Sequence, residues 1–208
     1  MALGRTKSVQ AGIRFGVCMS NDVVQWHPHY RVDKWDADQT DWVSSRSGVV
    51  APRAAHFWYH GVNPVDVVEG DGNLLTTAGL TRLVSLLLAA GGQGLTNTAC
   101  RIGVGNGAGA AAIGDTDLSA SAGSANRWFQ VMDATYPSAA GAVATFKSTF
   151  GTADGNFAWN EWAIDVGTPT VTSAATVNAL MFNHKTSAAL GTKSAGASWA
   201  FTVTATFS

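Results

Sequence analysis

The chain has 208 residues, enough for one domain with a substantial core or for one domain and an extension. Only 13% of its residues are charged and 46% are hydrophobic. Ordinary globular chains carry roughly 25% charged residues, so much of this surface is neutral or apolar and suited to contact with other subunits. With 13 basic and 14 acidic residues the formal net charge is -1, a field too weak to argue for nucleic acid or an anionic membrane.

At the N-terminus, Arg5, Lys7 and Arg14 are not followed by an apolar run before Asn21-Asp22, so no secretory leader is expected. Cys18 and Cys100 stand far apart in neither a metal nor a redox spacing, and two free thiols in a reducing compartment are the default. Residues 1–72 hold four of the eight tryptophans without a sustained helical or strand period. Disordered chains are poor in aromatics, so this segment is expected to be an extended N-terminal arm. Its rings, Trp26, Trp35, Trp42 and Trp58, would be buried against the rest of the chain or a neighbouring subunit. The group His27, His29, Asp33, Asp36 and Asp38 matches no zinc spacing, and no metal or other cofactor is expected.

Residues 73–208 are expected to form the second unit, a helix and a β domain. Leu80, Leu83, Val84, Leu87 and Leu88 fall on one stripe of a helix that Thr76 or Thr77 would cap and Gly91-Gly92 would end. Such a helix covers a sheet or packs on a partner. The apolar run Leu80–Ala90 is far below the roughly 20 residues of a membrane span. From about residue 100 onward, turn signals recur every ten residues or so, as in a sandwich of short strands. Residues 143–150 alternate, with Phe146 and Phe150 on one face. Trp199, Phe201, Val203, Ala205 and Phe207 alternate with Ala200, Thr202, Thr204 and Thr206, the pattern of an antiparallel strand with one face in the core. Residues 157–166 change phase near Asn160-Glu161, which suggests a bulge. The expected fold is therefore mainly β, an antiparallel β-sandwich with one amphipathic helix and the N-terminal arm.

Three constellations bear on chemistry. Gly103-Val-Gly-Asn-Gly-Ala108 fits the spacing of a dinucleotide fingerprint, but no confident helix follows and no βαβ alternation surrounds it, so a glycine-rich turn is expected. Asp115 and Asp117 lie in a turn-forming segment. Glu161, flanked by Trp159 and Trp162, is expected to be a structural buried acid accepting backbone N–H bonds. No nucleophile signature is present, and no catalytic residue is expected.

The run Arg101-Ile-Gly-Val-Gly-Asn-Gly107 is followed in order by Asp117-Leu118, Asn126-Arg127-Trp128, Phe157-Ala-Trp-Asn-Glu-Trp-Ala-Ile164 and Leu180-Met-Phe-Asn-His-Lys185. This order resembles the β domain of tail-fibre or tail-collar proteins of tailed bacteriophages, over about the last hundred residues. A fibre continues into a shaft and receptor-binding tip, whereas this chain stops at Ser208. The resemblance implies a non-enzymatic virion structural protein, made in the bacterial host cytoplasm: a capsid decoration protein, a minor capsid protein or a tail adaptor. Its partners would be other virion proteins, capsid or tail subunits, and its own copies, a trimer being common for such proteins. A receptor- or carbohydrate-binding module is the alternative.

Overall fold

A computed structural model describes residues 26–167, 180–186 and 189–208. They build a mainly β, sandwich-like fold from two five-stranded antiparallel sheets, with three helices and a small third sheet. The first sheet has the order β2 (Asp66–Asp71), β1 (Trp26–Trp35), β12 (Ser198–Phe207), β7 (Val143–Phe150), β6 (Ser138–Ala140). The second has the order β3 (Leu74–Leu75), β10 (Met181–Lys185), β9 (Glu161–Val166), β4 (Cys100–Gly105), β5 (Arg127–Val131). β8 (Ala158–Trp159) and β11 (Gly191–Thr192) pair beside them.

The alternation at 199–207 makes β12 the middle strand of the first sheet. Trp199, Phe201 and Val203 are buried in the main core with Val32, Ile102, Phe146, Phe150, Trp159, Trp162 and Phe182, and Ala205 is buried too, while Thr202 and Thr204 are half-exposed. Burial of each such large side chain contributes about 1.5–3 kcal/mol. Phe201 tilts against Trp162 at 5.3 Å between centroids, and Trp159 meets Trp199 edge-on at 4.8 Å.

Residues 26–71, expected in an extended arm, are woven into this sandwich. β1 pairs with β12 from Trp26↔Phe207 to Trp35↔Ser198, and β2 closes its other edge. The strand was hidden by its ionic residues, which break the apolar alternation. Asp33 and Lys34 are buried in β1, Asp33 paired with Arg31 at 2.7 Å and Lys34 with Asp66 at 2.7 Å. Residues 1–25, including Cys18, Arg5, Lys7 and Arg14, lie outside the described residues.

Two helices join the expected one. α1 (Ala37–Ser47) starts where the Asp36 side chain accepts the Gln39 N–H and ends at Gly48, which adopts the left-handed conformation. α2 (Ala54–Tyr59) follows, and the two cover the outer face of the first sheet around a second small core of Trp35, Val43, Ala54, Phe57 and Ala200. Trp35 stacks on Phe57 at 4.3 Å and donates its indole N–H to the Val62 carbonyl at 3.1 Å.

The helix legible in the sequence is α3 (Thr77–Leu87). Its N-cap Thr76 accepts the Gly79 N–H and donates to the Met181 carbonyl, tying the helix to β10. Gly79 is in contact with the Phe182 carbonyl, an approach any side chain would block. The helix ends at Leu87, before the expected Gly91-Gly92; Ala89 is already left-handed at φ 50. Only Leu83 of the apolar stripe packs on the core. Leu80, Val84, Leu87 and Leu88 face outward, Leu87 at 85% exposure.

The phase change at Asn160 is a change of sheet rather than a bulge. β8 pairs with β11, and after Asn160 the chain enters the second sheet as β9. The irregularity in that sheet lies instead between Met181 and Asn183 of β10.

Candidate functional site

The richest polar cluster lies at the end of the second sheet, around Glu161 and His184. Glu161 opens β9, directly opposite Gly105 at the end of β4. His184 is on the neighbouring β10, paired with Ala163. The connection from β4 to β5 folds back over this end and brings Asp115, Ser119 and Ala120 to the same point.

Glu161 is fully buried. Its Oε2 accepts the Ser119 N–H at 2.9 Å, the Ser119 hydroxyl at 2.8 Å and the His184 Nε2 proton at 2.9 Å, and its Oε1 accepts the Ala120 N–H at 2.7 Å. Burial alone would push this carboxyl up, but the hydrogen bonds from His184, Ser119 and Ala120 outweigh it and hold the pKa below the ordinary value. His184 is 1% exposed, and its Nδ1 reaches Asp115 Oδ2 at 2.6 Å. Burial would lower the imidazole pKa; the bonds to Glu161 and Asp115 outweigh that and raise it. Carboxylate oxygens face both ring nitrogens, an arrangement that favours the imidazolium form. Asp115 Oδ2 also accepts the Ala112 N–H at 2.7 Å, so the histidine and the loop share one anchor.

The glycine string over this carboxylate has a steric cause. A Cβ at Gly105 would come 2.5 Å from Glu161 Oε1, and one at Gly107 would run into Ser119 Oγ and Glu161 Oε1. A Cβ at Gly103 would come 2.5 Å from the Phe129 ring. The glycines thus let the loop close on an acid and a ring. No helix begins here, which removes the structural context of a nucleotide fingerprint.

The other short motifs meet at the same point. The Asn106 N–H donates to the Asn126 carbonyl at 2.9 Å, and Asn160 donates its side-chain amide to the Asn106 carbonyl at 3.0 Å. Arg127, 4% exposed, donates to Asp117 at 2.7 Å, while Asp117 Oδ1 accepts the Leu118 N–H. The five motifs in the C-terminal half thus include one interlocked polar clamp. Chemically it can hold protons and pin the loop. Its carboxylate has its acceptor sites filled and is sealed from solvent, leaving no face for a substrate to approach.

The four tryptophans divide. Trp35 is fully buried in the second core. Trp26 is half-buried between Phe182 and Phe207, with its indole N–H donated to Asn73 at 2.7 Å. Trp42 and Trp58 are each 43% exposed on α1 and α2, beside Tyr59 at 86%. Trp42 meets the His60 ring edge-on and lies under the Arg46 guanidinium at 5.0 Å.

His27, His29 and the aspartates around them do not converge. His29 pairs with Asp71 at 2.9 Å, Asp33 with Arg31, and Asp36 caps α1. Among the described residues no group of three or more His, Cys, Asp or Glu side chains is arranged to hold a metal ion. Cys100 is buried, and burial, with the Asp165 charge, pushes its thiol pKa up to about 12, a protonated, unreactive form. Among the described residues no helix is long and apolar enough to cross a membrane.

The sequence missed His184 as a partner of Glu161, and Asp115 as the partner of the other His184 nitrogen. Their signal was the polar pair Asn183-His184 inside an otherwise apolar strand, since a buried imidazole needs partners for both nitrogens. It also missed Asp133, which accepts from Arg53 at 2.8 Å and from the Thr149 N–H and hydroxyl, tying α2 to the sheet.

Fold and clamp together define a β-sandwich stapled at one end by a buried ion triad. Comparison with protein-family models, curated proteins and solved structures finds no match to this chain.

Proposed function

We propose that the chain is a non-enzymatic structural protein of a tailed-bacteriophage particle, a capsid decoration, minor capsid or tail adaptor protein that binds neighbouring subunits. One observation carries the assembly part of this reading: the three helices carry six exposed large apolar side chains. Trp42, Trp58 and Tyr59 stand out from α1 and α2, and Leu80, Val84 and Leu87 from α3. Single exposed apolar residues need no explanation, but grouped ones on rigid helices have the composition of contact anchors. The sparse charge of the chain favours the same use. The phage part rests on the order of motifs from Arg101 onward, and the clamp supplies a physical reason for that order, because those residues hold one another in place.

The test is gold-labelled antibody on purified phage particles of the source, combined with velocity sedimentation of the isolated protein. Regular labelling, and self-association or particle binding that Leu87→Asp with Trp58→Ala abolishes, supports the reading. A protein absent from particles and monomeric at all concentrations refutes it.

A second reading, a carbohydrate-binding module, has its own observation. Trp42 lines a shallow hollow of about 280 Å³ with Asp38, Gln39 and Val62. The buried Gln39 Oε1 there has no hydrogen-bond partner. The half-exposed Trp42 ring beside the polar side chains of Asp38 and Gln39 suits a sugar face and its hydroxyls. Saturable glycan binding that perturbs Trp42 emission would favour it over assembly.

A further inference from the structure

Lys193 is an unusual residue outside the clamp. It follows β11 and is 1% exposed, yet among the described residues no carboxylate lies within ion-pair distance of its ammonium. Its Nζ instead donates to two neutral oxygens, the Gly151 carbonyl at 2.7 Å and the Asn156 side-chain carbonyl at 2.7 Å. A buried ammonium without an anion is expensive. Desolvation lowers its pKa to about 8, with the Asp154 charge acting the other way, so an appreciable fraction is free amine at neutral pH.

The second partner is held as firmly. The Asn156 amide nitrogen donates to the Thr152 carbonyl at 3.0 Å, so both ends of the amide are fixed. Asp154 stands in the same turn, with Oδ2 accepting the Gly151 N–H at 2.9 Å. Lys193 and Asn156 sit diagonally across the β8–β11 ladder, continued by the bond from the Lys193 N–H to the Phe157 carbonyl at 3.1 Å. An amine, a side-chain amide and a carboxylate therefore converge on one turn, and the amide remains open to solvent at Asn156.

We propose that Lys193 and Asn156 form an intramolecular isopeptide bond. Nothing in this depends on the assembly reading. The neutral Nζ swings from the plane of the amide to its face and attacks Cγ of Asn156, forming the new C–N bond. The Cγ–Nδ2 bond breaks as a proton passes from Nζ through solvent at the open side of Asn156 to Nδ2, ammonia leaves into solvent, and the Asp154 charge in the same turn stabilises the positive charge that develops on the way. Atoms and charge balance without an oxidant or cofactor: an amine and a primary amide give a secondary amide and ammonia. Near-attack placement of two groups in one molecule is what makes an ordinarily slow aminolysis accessible. The product would lock the turn 151–156 to the chain after β11 and discharge the buried cation.

Intact-mass spectrometry of the purified full chain tests this directly. The expected result is a mass lower than that of the sequence by one ammonia, with a branched peptide joining Lys193 to Asn156 in the tandem spectrum of a tryptic digest. Lys193→Met and Asn156→Ala should each have their full sequence mass, and Asp154→Ala should be only partly or slowly converted. The proposal is overturned by a wild-type mass equal to that of the sequence with Lys193 acylated freely after denaturation. It is overturned equally by a deficit that persists in Lys193→Met, which would mark cyclisation of Asn156 on the backbone.

Discussion

Glu161→Gln is the sharpest probe of the clamp, because it keeps the shape and removes the charge. The native carboxylate receives four donors, three at Oε2 and one at Oε1. A glutamine can turn its carbonyl toward Ser119 and His184, but its amide then faces the Ala120 N–H, donor against donor. His184 also loses one of its two anions in a fully buried site. Removing one member of a buried, hydrogen-bonded charge set costs about 3–5 kcal/mol. A total stability of about 5–15 kcal/mol makes that a large fraction. With a urea m-value near 3 kcal/mol per molar for a chain of this size, the midpoint should fall by about 1–2 M at unchanged m.

The pH dependence supplies a second readout. The raised His184 pKa contributes stability that is fully present below 6.5, its ordinary value, and is lost as pH rises through the raised one. The lowered Glu161 pKa contributes stability present above 4.5 and lost as pH falls through the lowered value. Stability should therefore peak between those limits and decline on the alkaline side, and the alkaline decline should shrink in Glu161→Gln. A variant within about 1 kcal/mol of wild type, with an unchanged pH profile, would refute the clamp as a stabilising element.

Other changes follow from the same contacts. Gly107→Ala should cost about 1–3 kcal/mol by overpacking against Ser119 and Glu161, measured by urea titration, whereas Gly114→Ala, with open space at its Cβ, should be nearly neutral. Trp35→Ala should lose about 3–5 kcal/mol while the half-exposed Trp42→Ala loses less than about 1 kcal/mol; comparable losses in thermal melts would contradict the division between core and surface tryptophans. Asp133→Ala removes the acceptor of Arg53 and of both Thr149 donors and should cost about 3 kcal/mol, accompanied by faster hydrogen exchange in α2.

Legibility in the sequence followed side-chain chemistry. β12 could be read because its inward residues are apolar and its outward ones mostly threonine, and α3 because its leucines keep helical spacing. The outward orientation of that stripe could not be read, since spacing defines a face and not what covers it. β1 was obscured by residues such as Asp33 and Lys34, which are buried only because partners distant in the chain satisfy them. α1 carries helix signals, the Asp36 cap on the Gln39 N–H and the terminal Gly48, but its sparse apolar content gives them the look of turns. At the clamp, Glu161 was recognisable as a buried acid from the tryptophans beside it. Its histidine comes from an adjacent strand and its amide donors, Ser119 and Ala120, from a loop 42 and 41 residues earlier in the chain, so no local window contains them together.

The long ladder between β1 and β12 sets a timetable for synthesis. His29 meets Thr204, 175 residues later, so the first sheet cannot close around its middle strand until residues 198–207 have left the ribosome. Until then β1 is a nascent strand with one edge unoccupied, exposed to premature pairing with other chains. Closing so long a loop is also slow, because its entropy is lost before the ladder forms. Folding yield should therefore depend more on translation rate and chaperone supply than the equilibrium stability of the finished sandwich suggests.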